Sequence, residues 1–249
     1  MIWHEGNGEG TRTVLLLHGV GATAAVWHGL ARQIEARGLA RSLAADLPGH
    51  GGSDWRPSYS VGEMAGELAE LARGAGELYI VGHSLGVYVA LALASGWFGV
   101  RVRATLGIGP KIAWPDADLA AARELAARPV RHYPSAEEAW LRYRRIAGLT
   151  TELAPGEDAL ARGITRDGEG WRLAQDPRTF AVAGAPFASL AASAAGPVWL
   201  ARGERDPLVS AEELRRHGSR SCEIGGAGHN AHLEQPGAIA SLLEELMAG

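Results

Sequence analysis

Six short apolar runs punctuate the chain, and each ends in a turn of glycine or polar residues. Residues 13–17 run into His18-Gly19, 41–45 into Asp46-Leu47-Pro48-Gly49, and 78–81 into Gly82. Residues 104–108 run into Gly109-Pro110, 198–201 into Arg202-Gly203, and 221–224 into Gly225-Gly226. Runs that are continuously apolar, rather than alternating, suit strands covered on both faces. Most are followed by a helical pattern, which predicts an α/β fold: a mostly parallel central sheet with helices on both faces. In such sheets, sites form at the carboxyl ends of strands, where the polar clusters of this chain fall.

The alternation lapses between about residues 112 and 195. Helical patterns occur there at 118–128 and 135–146, with little that reads as a strand, and the stretch carries Trp114, Trp140, Tyr143, Trp171, Phe180 and Phe187. The sheet pattern resumes at Pro197. The expected organisation is a core of residues 1–111 and 196–249 with a helical insertion of residues 112–195.

With 249 residues, 47% of them hydrophobic, the chain can fill one large core. A net charge of −4 gives no electrostatic footprint for nucleic acid. The single cysteine, Cys222, excludes an intrachain disulfide. The N-terminus has no basic-then-apolar leader pattern, and the apolar stretches 14–17 and 87–94 are too short to span a bilayer. The expectation is a cytoplasmic protein acting on a small molecule, with no nucleic-acid or membrane partner. Lys111 is the only lysine among 24 basic residues, a bias in keeping with a chain rich in Ala, Gly and Arg.

Candidate chemistry concentrates at Gly82-His83-Ser84-Leu85-Gly86. A serine hydroxyl needs exposure and a neighbouring base to act as a nucleophile. A sharp strand-to-helix turn supplies the exposure and demands small residues on both sides. In a chain with 34 glycines, the five-residue pattern arises by chance at ~0.2 matches, so its context decides. Here a strand-like run precedes the serine, and the buried helical pattern 87–94 follows it.

The base must be an imidazole, and a carboxylate must orient it. Of nine histidines, His229 closes the loop Gly225-Gly226-Ala227-Gly228 after a strand-like run. Its rival His232 falls where a helix begins. Asp206, in Gly203-Glu204-Arg205-Asp206-Pro207, is the expected carboxylate, with Glu204 the fallback and Asp116 and Asp118 remoter choices. The order Ser84, Asp206, His229 is the one expected of a nucleophile-elbow fold. The oxyanion donors expected are the backbone N–H groups of Leu85 and Val20. His18 reads as a loop organiser.

These blocks resemble the α/β-hydrolase superfamily, specifically its cap-bearing serine hydrolases of the esterase or lactonase kind. The resemblance rests on Leu15-Leu16-Leu17-His18-Gly19-Val20-Gly21, Asp46-Leu47-Pro48-Gly49-His50-Gly51-Gly52-Ser53-Asp54, Val81-Gly82-His83-Ser84-Leu85-Gly86, Gly203-Glu204-Arg205-Asp206 and Gly226-Ala227-Gly228-His229, with Glu234-Gln235-Pro236 behind. It implies nucleophile, acid and base at Ser84, Asp206 and His229 and an oxyanion donor at Val20. It also implies an eight-stranded type of sheet, its first strand lost or abbreviated, and a helical cap inserted after strand six. The pocket expected over Ser84 takes His83, Trp114, Trp140, Tyr143, Phe187 and Val209. Taken singly, Trp140 and Tyr143, three apart, read as the insertion's own packing, and together as the roof of an apolar pocket; Arg142, Arg144 and Arg145 read as a solvated helix face rather than an anion site.

Two other chemistries compete. Gly19-Val20-Gly21-Ala22-Thr23-Ala24, followed by Asp46, fits a dinucleotide-binding turn, yet leaves the other blocks unexplained. His229-Asn230-Ala231-His232 lacks the spacing and glutamate of a zinc hydrolase. No cofactor and no metal are therefore expected. The expected reaction is hydrolysis of a small or medium carboxylic ester, lactone or thioester with an apolar portion. C–C bond hydrolysis of a ring-cleavage-type diketone on the same residues is the alternative, and a noncatalytic ligand-binding protein on this fold is the alternative of another class.

Overall fold

The structure, a computed structural model, describes residues 1–149 and 161–249. Its main sheet contains β1 (His4–Asn7), β2 (Arg12–Leu17), β3 (Arg41–Ala45), β4 (Glu77–His83), β5 (Val102–Ile108), β8 (Val198–Gly203) and β9 (Arg220–Ile224). They lie in the order β1-β3-β2-β4-β5-β8-β9. All neighbours are parallel except β1, which runs antiparallel to β3. The six strands expected from the apolar runs are all present. β1 was not legible: His-Glu-Gly-Asn has no apolar run, and this mostly exposed edge strand pairs through its backbone. Among the described residues the sheet thus has seven strands, in keeping with an eight-stranded type whose first strand is lost or abbreviated.

The continuous apolar runs arise because both sheet faces are covered. Leu15, Leu17 and Ile80 point into one core with helices Val61–Ala72 and Leu85–Ala94. Val14, Leu16 and Val81 point into the other, with helices His28–Ala36 and Pro236–Ala248. Burying each such side chain contributes on the order of 1.5–3 kcal/mol. All ten residues of Leu85–Ala94 are buried, so this helix reads as apolar all round, not amphipathic.

Between β5 and β8 the chain leaves the sheet. Helices Asp116–Ala127, Ala136–Ile146 and Phe187–Ser193 form there. The second starts where the Ser135 side chain accepts from the Glu138 N–H. Two strands not expected in this stretch, β6 (Ile164–Asp167) and β7 (Gly170–Leu173), pair as an antiparallel hairpin. Its signal was Asp167-Gly168 between short alternating segments, too brief to register beside the helices. The two ends of the insertion are held together: Thr105 N–H donates to the Pro197 carbonyl (2.9 Å) and Gly109 N–H to Ala201 (2.8 Å). Among the described residues, no helix is long and apolar enough to cross a membrane.

Candidate active site

Ser84 is the junction of β4 and helix Leu85–Ala94. Its backbone sits at φ 50°, ψ −113°, and it is the only non-glycine with positive φ among the described residues. Such a conformation costs on the order of 1–3 kcal/mol and persists only where the surroundings impose it. They do so by close approach. A Cβ at Gly82 would lie 2.5 Å from the Gly86 carbonyl oxygen, and one at Gly86 would overlap the Leu17 carbonyl of β2. Ser84 N–H donates to the Ile108 carbonyl at 2.9 Å, tying the turn to β5. The hydroxyl does not cap its own helix.

His229 and Asp206 come from the turns after β9 and β8. His229 Nδ1–H donates to Asp206 Oδ2 at 2.9 Å. Asp206 is buried, and its other oxygen accepts from the Leu208 N–H at 2.8 Å. The carboxylate therefore has a fixed direction, and it fixes the tautomer of His229 with the lone pair on Nε2. Ser84 and His229 line one cavity; no hydrogen bond joins their side chains among the described residues. Looser nucleophile–base geometry of this kind is common before substrate binds.

The loops carrying these groups are braced by residues that the sequence did not single out. Arg202 donates from Nε to the Val209 carbonyl (2.8 Å), and from Nη2 to the carbonyls of Glu204 (3.0 Å) and Asp206 (2.8 Å). Glu234 accepts from the Gly228 N–H at 2.8 Å, one residue before His229. Glu204, the fallback acid, is exposed and accepts from the Gly226 N–H at 2.7 Å, so it braces the loop instead. Asp118 pairs with Lys111, and Asp116 is exposed in the first turn of its helix.

His232 is placed where it cannot serve as the base. It is buried, wedged between Trp27 (ring centroids 4.5 Å) and His83 (4.3 Å), and neither ring nitrogen has a hydrogen-bond partner among the described residues. Burial pushes its pKa down to about 3, so the ring is neutral. His83 is also buried and held well below the ordinary imidazole range, first by burial and then by its neighbours His232 and His229. Its Nε2–H donates to the His229 backbone carbonyl at 3.1 Å. His18 organises the loop after β2: Nδ1–H donates to the Gly19 carbonyl (2.8 Å) and Nε2 accepts from the Leu47 N–H (2.9 Å). That neutral arrangement agrees with a pKa lowered to about 4 by burial.

The shared cavity is about 390 Å³ and mostly apolar. Val20 and Leu85 lie on its wall beside Ser84. Leu85 opens its helix, where N–H groups have no intrahelical acceptor; its N–H and that of Val20 are the expected oxyanion donors. His83 and Trp114 line the cavity as expected, but Trp140, Tyr143, Phe187 and Val209 do not. Trp140 packs against the second core under the Arg144 guanidinium. Tyr143 is buried with its hydroxyl 3.3 Å from that of Thr23. Phe187 stands edge-on behind Tyr88 (5.2 Å), and Val209 is buried in the first core while its neighbour Leu208 faces the cavity. Lining residues missed in the sequence include Asp118, Ala121, Ala122 and Leu125. Their i, i+3, i+4, i+7 spacing marks one helix face and was a usable signal.

The dinucleotide reading fails on packing. Gly21 has φ +78°, and a Cβ there would overlap Ile146, so the glycine admits helix Ala136–Ile146. Asp46 accepts from the Ala24 (2.6 Å) and Gly52 (2.9 Å) N–H groups, which occupies both carboxylate oxygens. Among the described residues, no group of three or more His, Cys, Asp or Glu is arranged to hold a metal ion.

Comparison with known proteins agrees with this architecture. The model of the alpha/beta hydrolase family matches residues 14–242. Esterase Rv0045c of Mycobacterium tuberculosis is 28% identical over 264 residues, covering 94% of this chain and 82% of the esterase. The 2-succinyl-6-hydroxy-2,4-cyclohexadiene-1-carboxylate synthase of Salmonella newport is 30% identical over 253 residues, covering 96% of this chain and 94% of the synthase. A shorter match, to lipase LipV of Mycobacterium tuberculosis, is 38% identical over 89 residues and spans 35% of this chain and 33% of the lipase. Among solved structures, the thioesterase domain from the curacin biosynthetic pathway superposes with a TM-score of 0.78 at 22% identity, covering 97% of this chain and 94% of that domain. A seven-stranded, mostly parallel sheet with a strained serine at the end of β4, together with a family match over nearly the whole chain, makes this protein a member of the alpha/beta hydrolase family.

Proposed function

We propose that the protein is a serine hydrolase that cleaves a small or medium carboxylic ester, lactone or thioester through an acyl-enzyme. The observation that carries this reading is the Asp206–His229 hydrogen bond of 2.9 Å beside a cavity into which the strained Ser84 also opens. His229 takes the Ser84 proton as Oγ attacks the substrate carbonyl carbon. The tetrahedral oxygen is stabilised by the N–H groups of Leu85 and Val20. The intermediate collapses, the bond to the leaving group breaks, and His229 returns the proton to the departing oxygen or sulfur. Water, deprotonated by His229, then attacks the acyl-Ser84 ester; the acyl–Oγ bond breaks, His229 returns the proton to Ser84 Oγ and the acid leaves. Asp206 stays ionised and steadies the imidazolium.

Residues 112–195 act in this proposal as a cap over Ser84. The helix face of Asp118, Ala121, Ala122 and Leu125 and the segment around Thr179 and Phe180 line the same chamber as the serine. Its largely apolar lining supports a substrate with an apolar portion. The full-length likeness to an esterase supports ester cleavage. Fluorophosphonate labelling and a panel of p-nitrophenyl esters test the reading on the wild type and Ser84→Ala. Labelling and turnover are expected in the first and absent in the second; labelling that persists in Ser84→Ala removes the nucleophile assignment.

A further inference from the structure

A second, smaller cavity lies beside the chamber that holds Ser84. Leu125, Ile146 and Phe180 line both the chamber and this neighbouring cavity of about 120 Å³, so the two share a wall. The charges of the two differ. Among the described residues, the one Lys or Arg lining the inner chamber, Lys111, is paired with the one lining carboxylate, Asp118, so these two charges offset each other. Among the described residues, the outer cavity is lined by Arg128, Arg131 and Arg142 and by no Asp or Glu, in a chain whose net charge is −4.

The three guanidinium groups are only partly engaged. Arg128 pairs with Glu124 on the exposed helix surface. Arg131 lies 4.9 Å above the Tyr133 ring, a contact through its face that leaves the in-plane N–H donors free. Arg142 forms no ion pair with any described carboxylate. The expectation of a uniform solvated face on helix Ala136–Ile146 therefore divides. Arg142 is half-buried and turns into the cavity, Arg145 is exposed and lies off it, and Arg144 covers Trp140.

We propose that the outer cavity is an anion subsite that selects substrates carrying a phosphate or carboxylate at the end remote from the scissile carbonyl. Arginine's planar fork matches both groups bidentately. Such a substrate would place its apolar part in the mostly apolar inner chamber and its charge among Arg128, Arg131 and Arg142. The proposal rests on Ser84 being the nucleophile in that chamber.

The test compares kcat/KM within two matched pairs. Hexanoyl-4′-phosphopantetheine and hexanoyl-pantetheine differ in the phosphate of the leaving thiol; monomethyl adipate and methyl hexanoate differ in a carboxylate on the acyl chain. At low salt the wild type is expected to favour the anionic member of at least one pair by about 10-fold or more, and 0.5 M NaCl to erode that preference. The preferred pair identifies the source of the anion. Arg142→Gln and Arg131→Gln should each reduce the preference several-fold, and together abolish it. Arg145→Gln, the same charge change on the same helix, should leave the ratio at its wild-type value. Equal rates within both pairs, or a preference that survives in the Arg131→Gln/Arg142→Gln double variant, overturns the subsite. If Ser84 resists fluorophosphonate and no ester turns over, the nucleophile reading fails on its own. Calorimetric titration with 4′-phosphopantetheine and with adipate then decides the subsite: binding lost in the double variant upholds it, and no binding to the wild type overturns it.

Discussion

The imidazole of His83 donates from Nε2 to the backbone carbonyl of His229 across 3.1 Å. The residue before the candidate nucleophile thus holds the backbone of the candidate base. His83→Phe keeps a ring beside His232 but removes the donor. One such bond is worth on the order of 0.5–1.5 kcal/mol, so kcat should fall about 3- to 10-fold with a smaller change in KM. His83→Gln, which restores a donor, should recover part of the loss in ester kinetics; no recovery would mean that ring packing is what matters.

Asp206 and Glu204 should separate cleanly. Asp206→Asn keeps the shape but presents an amide donor to His229, and kcat should drop by about 10⁴. Glu204→Gln should stay close to wild type, because Glu204 bonds to the Gly226 N–H from an exposed position. Arg202→Met removes three bonds to the loop carbonyls around Asp206. Steady-state ester hydrolysis should show a loss intermediate between the two.

Acid should destabilise the fold well before it protonates the carboxylates. Burial lowers the folded-state pKa of His18 to about 4, and of His50 and His232 to about 3, from an ordinary 6.5. Above pH 6.5 these rings are neutral in both states and contribute no pH dependence. Below it the unfolded chain takes up protons that the folded chain refuses, so stability falls with pH until the folded pKa is reached. The slope is about 1.4 kcal/mol per pH unit for each histidine. Urea unfolding from pH 7.5 to 5 measures it, and His232→Leu should flatten the slope by one histidine. The same variant should keep ester hydrolysis, whereas His229→Ala should lose it.

Gly21→Ala should unseat the helix Ala136–Ile146. The new methyl overlaps Ile146, and the positive φ adds strain. A loss of about 2–4 kcal/mol is expected from the overlap and backbone together. Ile146→Ala in the same chain should relieve the steric part, so thermal unfolding of the double variant should lie above that of Gly21→Ala alone.

Most strands that were readable from the sequence are buried on both faces, because burial forces a continuous apolar run; β9, an edge strand with only Ile224 buried, was readable from the glycine turn after it. β1 and the β6–β7 hairpin were not readable: their pairing rests on backbone groups or on a few alternating positions. The candidate site divides in the same way. Ser84 and Asp206 each follow a strand of strong apolar signature and His229 a glycine-rich turn, so linear order and punctuation pointed to them. The chamber wall depends on which faces of the insertion turn inward, and large aromatics misled there. Tyr143 and Phe187 are buried behind the wall, while alanines of helix Asp116–Ala127 form it. The arginines of helix Ala136–Ile146 have different surroundings: Arg145 is exposed, whereas Arg142 is half-buried and lines the smaller cavity.

β5 and β8 are neighbours in the sheet, with Thr105 opposite Val198. Everything between them therefore departs from and returns to nearly the same place, like a loop drawn out from a closed seam. Closing a longer or shorter excursion across a fixed seam changes its entropy only slowly with length. If the proposed function holds, selectivity and bond-breaking are thus separable parts of this chain: residues 112–195 could be exchanged for another insert while the seam, the elbow at Ser84 and the turns of Asp206 and His229 stayed in register.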